Sequence, residues 1–323
     1  MSIGTEPVTK RMRTDDPDVV ARRERLEREP LAAVGGKSGF FTGAWGSLIE
    51  VWVHRELLGR LVRREVKARY KDSTLGIVWS LIRPLAQLSV YYFAIGKILG
   101  AARATPDFAI FVFIGLTMWA LFAEIISGGT TSILANSGLI KKVYLPREIF
   151  PLSAVGSALV NFAFQLVVLV LGEIFLASRA PIWSLDLLLA PLAFVTLVVF
   201  ATAVGILLSA LNVYFRDIQH FVEIALIFLF WASPIVYSFT FVQRALNGSF
   251  LEQIYLANPV TIAIVATQKA LWGSGSTATG ALAQQWPADI AIRLLIALAV
   301  SAVLLWIAQR IFARLQGNFA QEL

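Results

Sequence analysis

Apolar runs long enough to cross about 30 Å of hydrocarbon occur at Ile77–Leu99, Phe108–Leu134, Ile149–Leu176, Leu187–Leu211, Phe221–Phe241 and Ile290–Phe312. Each predicts a transmembrane helix. A further apolar stretch, Ile254–Trp272, is interrupted by Asn258-Pro259 and carries Gln268 and Lys269, so it is expected to form a re-entrant helical hairpin rather than a seventh span. Ahead of the first span the period changes. Glu56, Arg60, Arg63, Arg64, Lys67 and Lys71 recur at three- and four-residue steps, with Leu57, Leu58, Leu61, Val62, Val66 and Tyr70 on another face. That pattern predicts an amphipathic helix in the headgroup region, where each cation contributes about 1 kcal/mol of attraction to an anionic surface. The sequence KDSTLG then turns the chain into the first span.

The reading is of an all-α integral membrane protein with six transmembrane helices. Residues 1–46 form a polar, flexible cytosolic tail, residues 47–76 the interface helix and its turn, and residues 77–323 the six-span domain. The tail lacks the basic-apolar-small layout of a signal peptide, and its one candidate helix is Val19 to Arg28.

Charge placement orients the spans. Lys and Arg near span ends stay in the cytoplasm. With both termini inside, the inner segments hold the Arg55–Lys71 cluster, then Lys141, Lys142 and Arg147, then Arg216, and finally Arg310 and Arg314. The outer loops hold Arg103, Arg179, Arg244 and Lys269, and the Ile254–Trp272 hairpin faces outward.

Composition agrees and removes several chemistries. The 323 residues are 57% hydrophobic and 15% charged, which excludes a soluble domain of this length. A net charge of +7 need not mean nucleic acid, because the first thirty residues balance their charges and the excess lies beside the spans. With no cysteine and only His54 and His220, neither a thiolate nucleophile nor a metal centre is expected. GGKS at Gly35–Ser38 lacks the leading glycine of a phosphate-binding loop, since position 31 is Leu31. Asp16 and Asp18 read as a solvated acidic pair, and Asn247-Gly-Ser as a chance glycosylation match. Gly96 and Gly100 read as helix-packing positions.

Charges inside the spans are costly and point to function. By helical rise, Glu124 stands about 15 Å and Arg83 about 9 Å from the inner face, which predicts an Arg83–Glu124 pair or a shared wet path. Glu173 and Glu223 fall near span ends, within reach of water. Trp79, Tyr91 and Tyr92 on the first span, with Phe228, Trp231 and Tyr237 on the fifth, are candidates for a path that stacks sugar rings; interfacial belts and helix packing are the competing use of such rings.

RREVKARYKDSTLGIVWSLIRPL (Arg63–Leu85), NVYFRDIQHFVEIALIFLFWASPIVYS (Asn212–Ser238) and LANPVTIAI (Leu256–Ile264) together resemble the permeases of ABC-type polysaccharide exporters, which move O-antigen, teichoic acid or other lipid-linked glycans. The resemblance extends from about Leu57 to the end. The charged tail departs from it. It implies a homodimer with two copies of a separate cytosolic ATPase, in the bacterial inner membrane, exporting a lipid-linked glycan. ATP and magnesium would then sit on the partner, with no catalytic residue, metal or cofactor in this chain.

By the same resemblance, the interface helix receives the substrate headgroup through Arg60, Arg63, Arg64, Lys67, Arg69 and Lys71. The coupling helix corresponds to Asn136–Ile149, with Lys141, Lys142, Tyr144, Leu145, Pro146 and Arg147. A second ATPase contact corresponds to Tyr214–Asp217, with Arg216 and Asp217. Short charged loops between long helices transmit a push instead of absorbing it, which agrees with a coupling role. An ABC-type permease for a small lipid or drug is the alternative. A membrane glycosyltransferase or acyltransferase would have only His220 beside Asp217 to work with.

Overall fold

The computed structural model describes residues 52–71, 78–142, 145–178, 185–246 and 248–323. Tyr144, Arg179, Asn247, the Gly35–Ser38 stretch, the Asp16/Asp18 pair and the Val19–Arg28 helix therefore lie outside the described residues. Among the described residues the structure is helical and contains no strand. Helix α1 covers Arg55–Tyr70. Helix α2 covers Trp79–Tyr91 and continues as a π-helix over Tyr92–Ile98. Helices α3 (Phe108–Ala135), α4 (Ile149–Leu176) and α5 (Leu189–Tyr214) follow. Helices α6 (Ile218–Trp231), α7 (Phe239–Leu246), α8 (Phe250–Ala257), α9 (Pro259–Leu271) and α10 (Ile290–Leu315) complete the set.

Among the described residues, four helices are long and apolar enough to cross a membrane, namely α3, α4, α5 with its leading 3-10 turn, and α10; the count is five if α8 and α9 together make one span. The middle of the domain is α3, whose most apolar window is 78% buried, against 17% for α4 and 22% for α10. It packs against α4, α5 and α9, while α10 lies along α5. Apolar attraction between helices is weak in lipid, so close approach through small residues matters. Gly129 of α3 and Gly205 of α5 supply it: a Cβ on Gly129 would stand 3.2 Å from the Gly205 Cα.

One expected element changes shape at a proline, and a second proline makes the break expected of the hairpin. The Phe221–Phe241 run does not form one helix. Helix α6 ends at Trp231, because a proline at 234 has no N–H and its ring would strike the carbonyl four residues back. The freed groups find partners within the protein. Ser233 Oγ donates to the Leu229 carbonyl at 2.9 Å, Tyr237 OH to the Trp231 carbonyl at 2.7 Å, and Gln268 Nε2 to the Pro234 carbonyl at 2.9 Å. At the second proline, α8 and α9 meet at 84°. Asn258 is extended there, its Oδ1 accepts from the Val260 N–H at 3.0 Å, and Pro259 opens α9 where no N–H is required.

The Gly96 and Gly100 pair has intramolecular uses. Phe108 fills the space a Gly96 Cβ would need, 2.8 Å away, and Gly100 takes a left-handed turn at φ 78°.

Candidate functional site

The basic segments that the sequence assigns to one side do meet at one end of the bundle. Leu57, Leu58 and Leu61 of α1, Ile140, Leu145 and Ile149 of the 136–149 loop, Val213 and Tyr214 of α5, and Phe312, Phe319 and Leu323 of the last segment pack into one cluster. Arg103, Lys269 and Arg293 belong to the opposite end. There Lys269 pairs with Asp186 at 3.1 Å and Arg293 donates to Gln253 at 2.9 Å.

The amphipathic α1 docks on protein. Its apolar face packs against α4, and Val62 occupies the space above Gly156, where a Cβ would come within 2.5 Å of Val62 Cγ2. Polar side chains of the same face then reach across. Ser153 Oγ donates to Glu65 at 2.5 Å, Arg64 Nη2 donates to Asn136 Oδ1 at 2.5 Å, and Arg69 pairs with Glu124 while its other terminal nitrogen is 3.5 Å from Ser157 Oγ. Burial pushes the Glu65 carboxyl above its ordinary 4.5, opposed by the Ser153 hydroxyl and by Arg64 and Arg69. Arg60, Arg63, Lys67 and Lys71 remain exposed.

This geometry corrects the pairing expected for Glu124. Its carboxylate takes Arg69 and the Asn161 amide, the latter at 2.6 Å, and not Arg83, which is exposed on α2. Arg69 comes from α1, a helix expected to lie on the membrane surface, so the rise along single spans gave no hint of it. Glu124 is 21% exposed and Arg69 44%.

The arrangement also reveals a polar seam. Ser153, Ser157, Asn161 and Gln165 follow one another at four-residue steps on α4, and all are buried, with exposures between 0% and 6%. The spacing was visible in the sequence as a single-face stripe in an otherwise apolar helix. Glu173, expected near water, has both carboxylate oxygens buried without a hydrogen-bond partner among the described residues.

In the loop that follows α3, a one-turn helix over Ser137–Ile140 leads into exposed Lys141 and Lys142. Arg147 lies over the Phe319 ring, 5.7 Å from its centroid, and Glu148 is buried and accepts from Gln309 Nε2 at 3.4 Å. Arg216 and Asp217 are exposed in the turn between α5 and α6. His220 lies 3.6 Å from Glu223, both on the exposed surface, and no cluster of potential metal ligands occurs among the described residues.

Of the six aromatic candidates, Tyr91 stacks on Phe230 at 5.7 Å, and Trp231 meets the same ring edge-on at 5.5 Å. Trp119 of α3 closes on Phe230 at 5.6 Å. Sequence reasoning missed both Phe230 and Trp119, which sit among apolar neighbours without a distinguishing pattern. Trp79 and Phe228 are exposed, and Tyr92 lies beneath the Lys97 ammonium at 5.4 Å.

At the far end, Asp107 precedes α3 in a left-handed conformation, φ 46°. It accepts from the Ser178 N–H at 2.7 Å, the Ser178 hydroxyl at 2.6 Å and the Ser274 hydroxyl at 2.5 Å. Burial acts to raise its carboxyl, but these donors outweigh it and hold the group below its ordinary 3.8. Trp272 Nε1 donates to the Pro106 carbonyl at 2.9 Å.

Comparison with known proteins adds what geometry alone does not. The chain is 31% identical over 275 residues to the O-antigen export system permease protein RfbA of Myxococcus xanthus, covering 85% of this chain and 98% of that one. It is 32% identical over 187 residues to the protein of the same name from Klebsiella pneumoniae, covering 57% of this chain and 69% of the relative. The polysialic acid transport protein KpsM of Escherichia coli is 23% identical over 190 residues. Residues 56–272 match the profile of the ABC-2 type transporter family. That match, with the relative aligned over almost its whole length, establishes that the chain belongs to the ABC-2 type transporter membrane family.

Proposed function

We propose that the chain is the permease subunit of an ATP-driven exporter that moves a lipid-linked polysaccharide out of the cytoplasm. The observation that carries this reading is the alignment with an O-antigen export permease over 98% of that protein's length. The gathering of the basic segments at one end agrees with it, and the retention of Lys and Arg on the inner side supports a cytoplasmic end that carries both termini.

Six crossings follow if α2 and α6 also span. Trp79–Ile98 comprises 13 α-helical and 7 π-helical residues, about 30 Å at an α-helical rise. Helix α6 would be completed by the irregular segment after Trp231. The bent α8–α9 pair is then the outward re-entrant hairpin, and α1 lies at the cytoplasmic interface.

Two copies of the permease would pair with two copies of a separate ATPase that holds ATP and magnesium. Lys141, Lys142, Tyr144, Leu145, Pro146, Arg147, Arg216 and Asp217 form its contact surface. The exposed Arg60, Arg63, Lys67 and Lys71 receive the anionic headgroup. Arg64 and Arg69 have the separate task of fastening α1. The aromatic cluster around Phe230 is the candidate sugar path.

The test is purification of the tagged chain in mild detergent followed by assay in proteoliposomes. An equimolar ATPase subunit, with ATP-dependent export of lipid-linked glycan extracted from cells lacking this chain, is the expected result. ATP-dependent movement of a small lipid but not of the glycan would replace the polysaccharide reading. A chain that purifies without an ATPase, where a control complex survives, would remove the exporter reading altogether.

A further inference from the structure

The last residues do more than end the chain. After α10, a 3-10 turn over Gln316–Asn318 and a one-turn helix over Phe319–Glu322 follow. Phe319 packs edge-on against Phe312 at 5.5 Å and is fully buried. Its ring meets three separate parts of the molecule. Phe312 belongs to α10, Tyr214 at 6.1 Å to the end of α5, and the Arg147 guanidinium at 5.7 Å to the loop between α3 and α4. Tyr214 OH donates to the Leu315 carbonyl at 2.8 Å, which ties α5 to the start of the same turn. Leu323 packs into the same cluster as Leu139 and Leu145 of the loop.

A solvated tail would not bury a phenylalanine completely where α5, α10 and the 136–149 loop meet, since ordering these residues costs backbone entropy. Burying the ring offsets part of that cost. What the segment adds mechanically is a connection. Without it, the 136–149 loop bears directly on α3 and α4, which flank it. With Phe319 in place the loop also bears on α5 and α10, which pack along one another.

We propose that Phe319 is a positioning residue that wedges the 136–149 loop against α5 and α10, so that a displacement of the loop moves all four long helices together. The inference rests on the exporter reading, in which that loop contacts the ATPase. Arg147 lies over the Phe319 ring, and Tyr214 holds the turn through its hydrogen bond to the Leu315 carbonyl.

The experiment uses the full complex in proteoliposomes and reads labelled glycan exported per ATP hydrolysed. The parent complex must export; if it does not, the exporter reading fails and the wedge is not at issue. Given export, Phe319→Ala is expected to lower the ratio at least threefold, and Phe319→Leu, which refills most of the volume, to recover most of it. A purely structural role predicts less complex recovered but a parental ratio for what assembles, and that result would overturn the wedge. If Phe319→Ala does not assemble, Tyr214→Phe decides. It removes one hydroxyl and leaves the ring in place, so a ratio reduced about twofold supports the wedge and an unchanged ratio refutes it.

Discussion

The two ends of this bundle are held by different chemistry. At the Asp107 end, one carboxylate gathers donors from the Ser178 backbone, the Ser178 hydroxyl and Ser274, and Trp272 closes on Pro106. Short hydrogen bonds to a fixed charge make a rigid junction of α3, the segment after α4 and the segment after α9. At the Asn136 end, α1 and the loops are held by long side chains reaching between helices, with several cations left exposed. Long flexible side chains tolerate displacement that a short carboxylate held by its serines does not. One end is fixed by hydrogen bonds to a single carboxylate, and the other is held by side chains long enough to follow a displacement.

The sharpest way to break the mobile end is to obstruct the docking of α1. Gly156→Leu would drive a side chain into Val62 and unseat the helix, whereas nothing lies within 4 Å of a Cβ at Gly172. Gly156→Leu is expected to reduce export more than tenfold and Gly172→Leu to change it less than twofold, measured as surface glycan per copy of permease in the membrane.

Breaking the rigid end should cost stability before transport. Asp107→Ala removes charge-assisted hydrogen bonds and is expected to cost about 2–3 kcal/mol, seen as a lower melting temperature in detergent at pH 7. Because the Asp107 carboxyl is held below its ordinary 3.8, its contribution is complete above that value and disappears as pH falls below it. The difference between parent and Asp107→Ala should therefore shrink on acidification below about pH 3.8 and stay constant between pH 5 and 7.

A smaller effect separates the two charge partners of Glu124. Arg69→Ala and Glu124→Gln should each weaken the seating of α1, and the double variant should be less damaged than the sum, with a coupling of about 1 kcal/mol. Additivity would mean that the two side chains do not act together. Exchanging Arg83 and Glu124, by contrast, is not expected to restore export.

The smallest effect concerns Glu65, whose raised pKa has the opposite sign to that of Asp107. Burial disfavours its charge, so its ionisation opposes docking as pH rises above the ordinary 4.5 and toward its folded value. Glu65→Gln is expected to leave the melting temperature at pH 7 unchanged or slightly higher, with the difference vanishing below pH 4.5.

Much of the fold was legible because lipid imposes a simple rule: an apolar run of sufficient length forms a helix. Helices α3, α4, α5 and α10 follow it within a few residues of the apolar runs. The Asn258-Pro259 break in the hairpin was also legible, since a capping side chain followed by proline is a local signal. The end of α6 at Trp231 was just as local, with Pro234 in plain view, but the apolar run on both sides of it masked the break. The functional residues divide in the same way. The basic segments could be assigned to one end because charge asymmetry depends only on order along the chain. The partner of Glu124 could not, because α1 and α3 are joined by no local pattern and the choice between Arg69 and Arg83 depends on where α1 comes to rest.

The sequence by itself determined that this is a helical membrane protein, where its main apolar helices run, which segments share an end, and the exporter family it resembles. These are properties of single segments, set by hydropathy, proline and charge. Only the tertiary structure decided that α1 seats over Gly156, that Arg69 rather than Arg83 neutralises Glu124, that a polar seam on α4 is buried, and that Phe319 packs against Arg147 of the 136–149 loop. Each of these depends on contacts between residues tens to more than a hundred positions apart, and their energy is set by packing and hydrogen-bond geometry that no single segment encodes.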